Sequence, residues 1–403
     1  MITFIKEYLQ SFLWKLYCHT LPSKEELTYQ DGINSFKKKI MDPDFDWKPY
    51  VKKINPYFEK YGFKYSMLDN EYYYQCNGIK SDLYIPLSFY KMFLYPYLNP
   101  ERWRVSYTEK NMFSRFLNIK EAQKHIDIQM AECIVYCDNG CFYMPNDDPC
   151  NLEKAIELVM DYKEDMIIKP TLDSTHGRGV ALIERGNLSK EIIKDIFSKY
   201  DNNFTVQKKI IQHPHLAAFN PTSVNSIRIT TYMDFRGNVK VLYASQRFGG
   251  KGKVYDNADD PKGTGGFCAI MPDGTVKREI HHYRNLKTTF LDDSIPEKIP
   301  CFDKVVKAVK FMHTRFPQFA LIGWDMSVTP DGHPLIIEYN FQPGLGTSQI
   351  ANGPMFEKED LDEIMEHIKM HTFTRLPKVS ITFDNKGQIH SIFRSAKSSK
   401  NGI

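Results

Sequence analysis

Hydrophobic and polar positions along the chain follow two kinds of pattern, one with helical spacing and one with the short runs and alternation typical of strands. Apolar residues recur at helical spacing in four segments, which predicts helices at about 151–162, 189–200, 302–315 and 361–371. Short apolar or alternating runs bounded by turn residues predict strands at about 166–169, 180–183, 204–210, 226–232, 239–248, 263–270, 321–328 and 335–339. Another helix is predicted at about 109–118, with Thr108 as its N-cap.

Two turn signals predict hairpins. Asn139-Gly140 lies in the middle of residues 133–144, and Pro330-Asp331-Gly332 lies between the last two predicted strands. The second hairpin places the strands 321–328 and 335–339 side by side.

The N-terminal hundred residues contain no chemical motif and predict a mostly helical region. Within residues 2–18, apolar side chains recur at helical spacing but are interrupted by Lys6, Glu7, Gln10 and Lys15. That is too polar for a membrane span, and the uninterrupted apolar run of a signal peptide is missing. The segment predicts a helix packed on the body of the protein; the alternative is a helix lying on a membrane surface or on a partner.

Composition narrows the class of protein. The 403 residues are 42% hydrophobic and 25% charged, which is typical of a globular protein of two or three domains. A net charge of +4 is too small to indicate nucleic acid as a partner. The eight scattered cysteines favour a reducing cytoplasm. Cys133, Cys137 and Cys141 raise the alternative of a metal cluster, but they flank a tight turn and lack CxxC spacing.

The strongest chemical signal is the pair of strands near residue 330. Glu338 and Asn340 share one face of their strand because side chains alternate with period two. The hairpin can bring Asp325 opposite them. Two carboxylates and an amide oxygen suit Mg²⁺, which takes few carboxylates together with phosphate oxygens and water. The alternative is a set of ordinary polar side chains facing solvent.

Two further segments suggest contacts to anions. Lys169 ends an apolar strand, and a polar loop follows it. Ser174, Thr175 and the backbone amides around Gly177 and Gly179 can donate hydrogen bonds to phosphate. The alternative is that this loop is an ordinary solvated turn. Neither the Walker motif nor the Rossmann fingerprint is present.

Arg228 and Arg247 lie on apolar strands, where each needs an anionic partner. Either a ligand or a structural carboxylate can supply that partner. Asp256-Asn257 and 263–266 form either a substrate-covering loop or a plain connection.

In this order, the segments resemble the ATP-grasp superfamily, and in particular the sugar-transfer-associated ATP-grasp proteins of polysaccharide biosynthesis. The resemblance runs from about Lys110 to Phe356. It rests on these strings: YTEKNMFSRF, MIIKPTLDSTHGRGV, FTVQKKI, NPTSVNSIRITTY, YDNADDPKGTGG and GWDMSVTPDGHPLIIEYN. The last is the most specific, because a strand Asp followed by ExN on the next strand is the family's metal arrangement.

The resemblance implies roles for individual residues. Lys110 and Lys169 resemble the lysines that contact nucleotide phosphates, and 174–179 resembles the mobile phosphate lid, with fewer glycines than is usual. Gln207, Lys208 and Ile210 resemble the hinge that meets adenine. Arg228 and Arg247 resemble the arginines near the transferred phosphoryl group or the substrate carboxylate. The implied Mg²⁺ ligands are Asp325, Glu338 and Asn340.

The implied fold is α+β, with two subdomains that clasp ATP. The expected divisions are a mostly helical region at 1–104, an N-terminal ATP-grasp subdomain with the lid at 105–206, a C-terminal subdomain with the metal site at 207–375, and a strand pair with a flexible tail at 376–403.

The implied reaction is ATP-dependent ligation of a carboxylate to an amine through an acyl phosphate, with ATP and Mg²⁺ as cofactors. The expected substrates are a small-molecule or sugar carboxylate and an amine, in the cytoplasm or at the membrane surface. The alternatives are an ATP-dependent phosphotransferase and a nucleotide-binding scaffold of a glycan assembly complex without turnover.

Overall fold

The computed structural model describes residues 45–107, 109–172, 179–200, 202–250, 252, 265–282, 285–372, 378–383 and 389–395. The predicted helix at 2–18, the loop residues Ser174, Thr175 and Gly177, and the segment Asp256-Asn257 lie outside these ranges.

The described N-terminal part is built from short helices, as the sequence predicts. They are α1 Lys48–Lys52, α2 Pro56–Glu59, α3 Leu68–Asn77, α4 Leu87–Phe89, a π-helical turn Tyr90–Leu94, α5 Tyr95–Leu98 and α6 Glu101–Tyr107. Pro56 and Pro86 each lie at a helix start, where a missing N–H costs nothing. Pro96 lies within the continuous run of helix, directly after the π-helical turn.

A six-stranded sheet follows, in the spatial order β4-β3-β2-β7-β5-β6. Its strands are β2 Cys133–Asp138, β3 Cys141–Tyr143, β4 Pro149–Cys150, β5 Met166–Pro170, β6 Ala181–Ile183 and β7 Phe204–Lys208. Two amphipathic helices, α9 Leu152–Asp161 and α10 Lys190–Ser198, pack on one face. Asn151 and Ser189 cap them by accepting backbone N–H groups. The other face of the sheet carries Lys169.

The second sheet has eight strands, in the order β1-β14-β13-β8-β9-β10-β11-β12. They are β1 Gln129–Met130, β8 Ile227–Met233, β9 Val239–Phe248, β10 Gly266–Ile270, β11 Glu279–His282, β12 Asn285–Phe290, β13 Leu321–Val328 and β14 Pro334–Asn340. The helix α12, Phe302–His313, covers one face and closes the largest apolar core of the protein. Every residue of β13 is buried, so this strand lies at the centre of the fold.

The remaining elements connect or flank the sheets. They are a 3₁₀ turn Lys110–Met112, α7 Phe113–Leu117, α8 Ile119–Ala122, a 3₁₀ turn Arg185–Asn187, α11 Pro214–Ala217, α13 Leu345–Asn352, α14 Lys358–Thr372 and the antiparallel pair β15 Lys378–Phe383 with β16 Ile389–Ser395.

The N-terminal helices are part of the same core as the second sheet. Aromatic side chains of α2, α4 and the π-helical turn pack with Tyr232, Tyr243 and helix α14. Asn99 sits at this junction, fully buried: its amide group donates to the carbonyls of Leu321 and Phe341, each at 2.6 Å, and its Oδ1 accepts the Leu321 N–H at 2.9 Å. Asn99 thus ties the N-terminal part to the start of β13.

We expect Asn99→Ala to lower the free energy of unfolding by about 3 kcal/mol, because it leaves three buried backbone groups without partners. Urea denaturation followed by fluorescence measures this. The matched control is Asn187→Ala, an exposed position, where a change within about 0.5 kcal/mol is expected. An equal effect of the two substitutions would contradict the assigned role of Asn99.

Most predicted helices and strands are confirmed, with ends shifted by a few residues. The helix predicted from Thr108 is wrong in its start and length. Thr108 lies outside the described residues, and Glu109 provides the cap. The first turn, Lys110–Met112, is 3₁₀ and α7 follows it, ended by Asn118, which has a left-handed conformation with φ of 42°. Strands β1, β11 and β12 and helix α13 were not predicted.

Candidate active site

Three charged side chains stand in one row across neighbouring strands of the eight-stranded sheet. Arg228 on β8 is directly opposite Asp325 on β13, and Asp325 is directly opposite Glu338 on β14. The row lies on the face away from α12. A β-bulge follows Asp325 in its pairing with β14. The hairpin therefore brings together Asp325 and Glu338, as the sequence predicts, and it adds Arg228 beside them.

Asp325 is held by both arginines. The Nε of Arg228 donates to Oδ1 at 2.5 Å and its Nη2 donates to Oδ2 at 2.7 Å, while Nη1 of Arg247 donates to Oδ1 at 3.3 Å. Burial alone would raise the pKa of Asp325, but the charges of Arg228 and Arg247 outweigh it and hold that pKa below its usual range. Asp325 is therefore an ionised carboxylate inside the protein.

Gly323 allows the chain after β14 to pack closely on β13. A Cβ atom on Gly323 would lie 3.1 Å from Cβ of Pro343, a tight contact, and 3.7 Å from Nη1 of Arg228, an ordinary one. Gly323 is two residues before Asp325 and opposite Asn340 in the ladder, so it lies beside the row of charges on the same face. A larger residue here would have to displace Pro343.

Two lysines lie near Glu338. The Nζ atom of Lys110 lies 3.6 Å from Oε2 of Glu338. Lys169, at the end of β5 in the other sheet, is close enough for the charges of Glu338 and Lys110 to affect its pKa. Enclosure by protein atoms lowers the pKa of Lys169 to about 8; Glu338 opposes this decrease and Lys110 adds to it. Of the two predicted phosphate lysines, Lys110 therefore pairs with Glu338 and Lys169 lies within the range of its charge.

Cys133 is close to Lys169, which the sequence did not indicate. Lys169 is opposite Thr205 on β7, and the Sγ atom of Cys133 lies 3.6 Å from Oγ1 of Thr205. Burial raises the pKa of Cys133 to about 11, so it is a neutral thiol. Among the described residues, no group of three or more His, Cys, Asp or Glu side chains forms a metal cluster, so the cysteine cluster raised as an alternative does not form.

Glu109 fixes the turn that carries Lys110. Its Oε2 accepts the N–H of Met112 at 3.0 Å and closes the 3₁₀ turn. Burial raises the pKa of Glu109, and the neighbouring Thr171, which follows β5, partly lowers it again. Glu109 therefore lies between the turn of Lys110 and the end of the strand of Lys169. An acidic residue immediately before Lys110 was visible in the sequence, but its capping role was not.

We expect Glu109→Ala to lower the free energy of unfolding by about 1 kcal/mol, the usual cost of a lost cap, and to raise the KM for ATP through the displacement of Lys110. Urea denaturation and steady-state kinetics measure the two effects. Glu121→Ala, an exposed glutamate on α8, serves as the control and should change neither quantity appreciably. An unchanged KM for ATP in Glu109→Ala would contradict a role of Glu109 in positioning Lys110 for ATP binding.

The site is rich in cationic side chains. Arg228, Arg247 and Lys110 contact Asp325 or Glu338, and Lys169 lies near Glu338. Partly buried cations need anionic partners to offset their desolvation. A group of lysines and arginines held in this way is suited to contact a polyanion such as a nucleotide triphosphate.

The carboxylate pair fits a hard divalent cation. Asp325 and Glu338 are opposite each other on neighbouring strands, so one ion can be reached by both carboxyl groups. Glu338 keeps about a third of its side chain exposed (32%), so a ligand can reach it. Asn340 is on the same face, and its Oδ1 accepts the Gln342 N–H at 2.7 Å while keeping a second lone pair. Asp325, Glu338 and Asn340 can therefore supply three oxygen donors.

The predicted adenine-contacting residues lie at the end of β7. The N–H of Lys208 donates to the carbonyl of Glu132 at 2.9 Å, so Lys208 offers a base no backbone donor. Its Nζ lies 2.8 Å from Oε2 of Glu164, away from the row of charges. Gln207 is opposite Ile167 in the ladder, on the same face as Lys169, and Ile210 lies just beyond the strand and is partly buried.

Of the predicted lid, Gly179 alone is described. It has a φ of 77°, and a Cβ atom there would lie 2.8 Å from Cγ of Pro170. Its carbonyl accepts the Tyr200 hydroxyl at 2.6 Å. The far end of the loop is therefore anchored against the strand that carries Lys169.

The site thus combines Lys169 from the six-stranded sheet, Lys110 from a 3₁₀ turn and a carboxylate–arginine row from the eight-stranded sheet. A family model described as sugar-transfer associated ATP-grasp matches residues 94–366. The chain belongs to the sugar-transfer associated ATP-grasp family. The predicted ATP-grasp fold class is thereby confirmed, and the match reaches sixteen residues further toward the N-terminus than the resemblance drawn from motifs beginning at Lys110.

Solved ATP-grasp structures show distant similarity. A D-cycloserine synthetase is 12% identical, with 67% of this chain and 71% of that one covered and a TM-score of 0.36. A D-Ala:D-Ser ligase from Enterococcus faecalis is 12% identical, with 66% and 61% covered and a TM-score of 0.38. An N5-carboxyaminoimidazole ribonucleotide synthetase, solved with ADP, is 10% identical, with 72% and 66% covered and a TM-score of 0.37.

A search of curated proteins finds no match to the sequence. Among the helices that the structure describes, none combines the length and the apolar character needed to cross a membrane.

Proposed function

We propose that this ATP-grasp protein is an ADP-forming carboxylate–amine ligase that uses ATP and Mg²⁺. The acid is a sugar acid or an amino acid, and the product enters a surface polysaccharide, in keeping with the sugar-transfer association of the family. The observation that carries the proposal is the convergence of four cations on the Asp325–Glu338 pair, which suits a triphosphate and an acidic acceptor together.

Each side chain has a task in this proposal. Lys110 and Lys169 bind phosphate oxygens of ATP, with the predicted lid residues Ser174, Thr175, Gly177 and Gly179 around them. Asp325, Glu338 and Asn340 would hold the metal ion, which supplies charge neutralisation of the phosphate oxygens. In this proposal adenine binds at the end of β7, against Gln207, Ile210 and the main chain of Lys208, while the Lys208 ammonium takes no part because it pairs with Glu164.

The reaction has two steps. In the first, a carboxylate oxygen of the acid attacks the γ-phosphorus, the bond from that phosphorus to the bridging oxygen breaks, and ADP leaves. In the second, the amine nitrogen attacks the acyl carbon, phosphate leaves, and the nitrogen loses a proton. Arg228 and Arg247 orient the acid and stabilise the negative charge that spreads over the transferred group.

No protein nucleophile is required in this scheme. Phosphoryl transfer of this type depends on positioning and on charge stabilisation, which lysines and arginines held on two sheets can provide. Closure of the lid at 174–179 would keep water away from the acyl phosphate, since hydrolysis would waste it.

The test is a screen for ADP release with Mg²⁺ over mixtures of sugar acids, amino acids and amines, followed by omission of one component at a time. The ligase proposal expects full ADP release only when an acid and an amine are both present. ADP release and a stable phosphorylated product with one substrate alone would instead indicate a phosphotransferase. Nucleotide binding without ADP release under any mixture would indicate a scaffold.

We also propose that the protein works in the cytoplasm and that residues 2–18 form a helix packed on the body of the protein, with contact to a membrane surface or a partner as the alternative. The apolar residues at helical spacing in that segment support this. Sedimentation with anionic vesicles, compared between the full chain and a chain lacking residues 2–18, tests the membrane contact. Equal sedimentation of both chains would contradict it.

A further inference from the structure

Asp325 is engaged in a way that conflicts with simple metal coordination. Both of its oxygens already accept N–H groups of Arg228, at 2.5 and 2.7 Å, and Oδ1 also accepts from Arg247 at 3.3 Å. Its side chain is 8% exposed, so solvent does not screen these pairs appreciably. The same carboxylate is the central member of the oxygen set proposed for the metal.

The arginines and a metal ion compete for the charge of Asp325. A bidentate guanidinium–carboxylate pair is strong because the two planar groups match. When a divalent cation takes one carboxylate oxygen, the negative charge available to the guanidinium groups falls. Arg228, whose bidentate partner is Asp325, must then find another anion, because a partly buried guanidinium that loses its partner is costly.

We propose that Asp325 occupies the two arginines in place of the acidic acceptor, and that it exchanges them for the metal ion when metal–nucleotide binds. Arg228 and Arg247 then turn to the carboxylate of the acceptor. This inference rests on the proposed function and adds to it a coupling between the two ligands.

The geometry also restricts the acceptor. Arg228 uses Nε and Nη2, the edge of the guanidinium that pairs with a planar carboxylate in a bidentate manner. The group that replaces Asp325 is therefore a carboxylate held by two parallel hydrogen bonds. In this exchange, bound metal–nucleotide increases the affinity for the acceptor. Reciprocity of binding free energies then requires that the bound acceptor increases the affinity for metal–nucleotide by the same factor.

The first experiment uses sulfate as the anion, with EDTA present so that no divalent metal takes part. In Asp325→Asn, Arg228 loses the ionised carboxylate that it binds in a bidentate manner. We expect calorimetry to show that sulfate binds this variant about tenfold more tightly than wild type, a factor within the range usual for coupled sites. Sulfate should also raise the melting temperature of the variant more than that of wild type. The control is Glu338→Gln, which removes one negative charge from the same site but whose nearest cation is Lys110 at 3.6 Å.

A stronger effect of Asp325→Asn than of Glu338→Gln supports the exchange. Equal effects would show only the loss of a negative charge and would overturn it. If Asp325→Asn does not fold even with sulfate, the wild-type protein decides: the ¹⁵N resonance of the Arg228 Nε–H group is followed, with Arg228→Lys for assignment.

We expect that resonance to move, and its exchange with water to become at least about tenfold faster, when Mg²⁺ and ADP are added without an acceptor. An unmoved resonance with Mg²⁺–ADP bound would overturn the exchange and leave the ligase proposal intact. Failure of Mg²⁺–ADP to bind at all would instead contradict the proposed function.

Discussion

Glu338→Gln should reduce Mg²⁺-dependent ATP turnover by at least about 100-fold, because several kcal/mol of charge stabilisation depend on a metal that this carboxylate helps to hold. Glu338 is the more accessible of the two carboxylates, and it is also in contact with Lys110. The substitution keeps the shape of the side chain and removes its charge. ADP release under saturating ATP, titrated with Mg²⁺, measures the effect.

The Mg²⁺ titration separates two explanations of a loss. If Glu338 is a metal ligand, the concentration of Mg²⁺ needed for half-maximal turnover rises in the variant, and melting temperatures stay close to wild type. Glu297→Gln, an exposed glutamate, is the control and should be indistinguishable from wild type. Undiminished turnover in Glu338→Gln would refute the metal assignment.

Lys169→Met should weaken nucleotide binding by about 10- to 100-fold, the value of one charge-assisted hydrogen bond to a phosphate. The same substitution should raise the melting temperature of the ligand-free protein. Enclosure lowers the pKa of Lys169 to about 8, so the folded protein holds this ammonium at a cost that methionine avoids. Calorimetry with ATP analogues and thermal denaturation measure the two opposite effects.

The low pKa of Lys169 also predicts a dependence on pH. The ammonium loses its proton as pH rises through about 8, so nucleotide affinity should fall between pH 7 and pH 9 in wild type and stay flat in Lys169→Met. The free energy of unfolding of the wild-type protein, relative to Lys169→Met, should instead increase as pH rises. Between about 8 and the ordinary lysine value of 10.5 the unfolded chain binds more protons than the folded one, so wild-type stability gains on the variant as pH rises.

Lys208→Met is the matched control for this pair of effects. Its ammonium lies 2.8 Å from Glu164 near the protein surface, and Glu164 raises the pKa of Lys208. We expect nucleotide affinity within about twofold of wild type, since an exposed ion pair of this kind contributes little. A larger loss in Lys208→Met than in Lys169→Met would place the phosphates elsewhere.

The shared face of Glu338 and Asn340 was predictable from the sequence, because it follows from strand alternation. The register set by the Pro330-Asp331-Gly332 turn was also predictable, but that register, with Met326 opposite Ile336, would by itself place Asp325 opposite Ile337. The bulge between Asp325 and Met326 was not visible, since no glycine or proline marks it. It shifts the register by one residue, and this shift brings Asp325 opposite Glu338.

The partner of Arg228 could not be predicted, because it depends on which strand lies beside β8. The sequence left open whether a ligand or a structural carboxylate faces Arg228, and 97 residues separate it from Asp325. Only the strand order β13-β8-β9 makes the two residues neighbours. The approach of Lys110 and Lys169 to Glu338 is likewise a consequence of packing between sheets.

The N-terminal part shows another limit. Its helical character followed from composition and periodicity, but its tyrosines and phenylalanines gave no indication of their partners. Asn99 in particular looked like a loop residue before a proline, whereas it bonds to β13 and to the residue after β14. Such contacts are long-range in sequence, and no local pattern encodes them.

The central claim is that one Mg²⁺–nucleotide site lies between the two sheets. A crystal structure with Mg²⁺ and a non-hydrolysable ATP analogue tests it directly. We expect the metal within coordination distance of Glu338 and Asp325, and phosphate oxygens within hydrogen-bonding distance of Lys110 and Lys169. A nucleotide bound away from these lysines, or a metal that contacts neither carboxylate, would contradict the account.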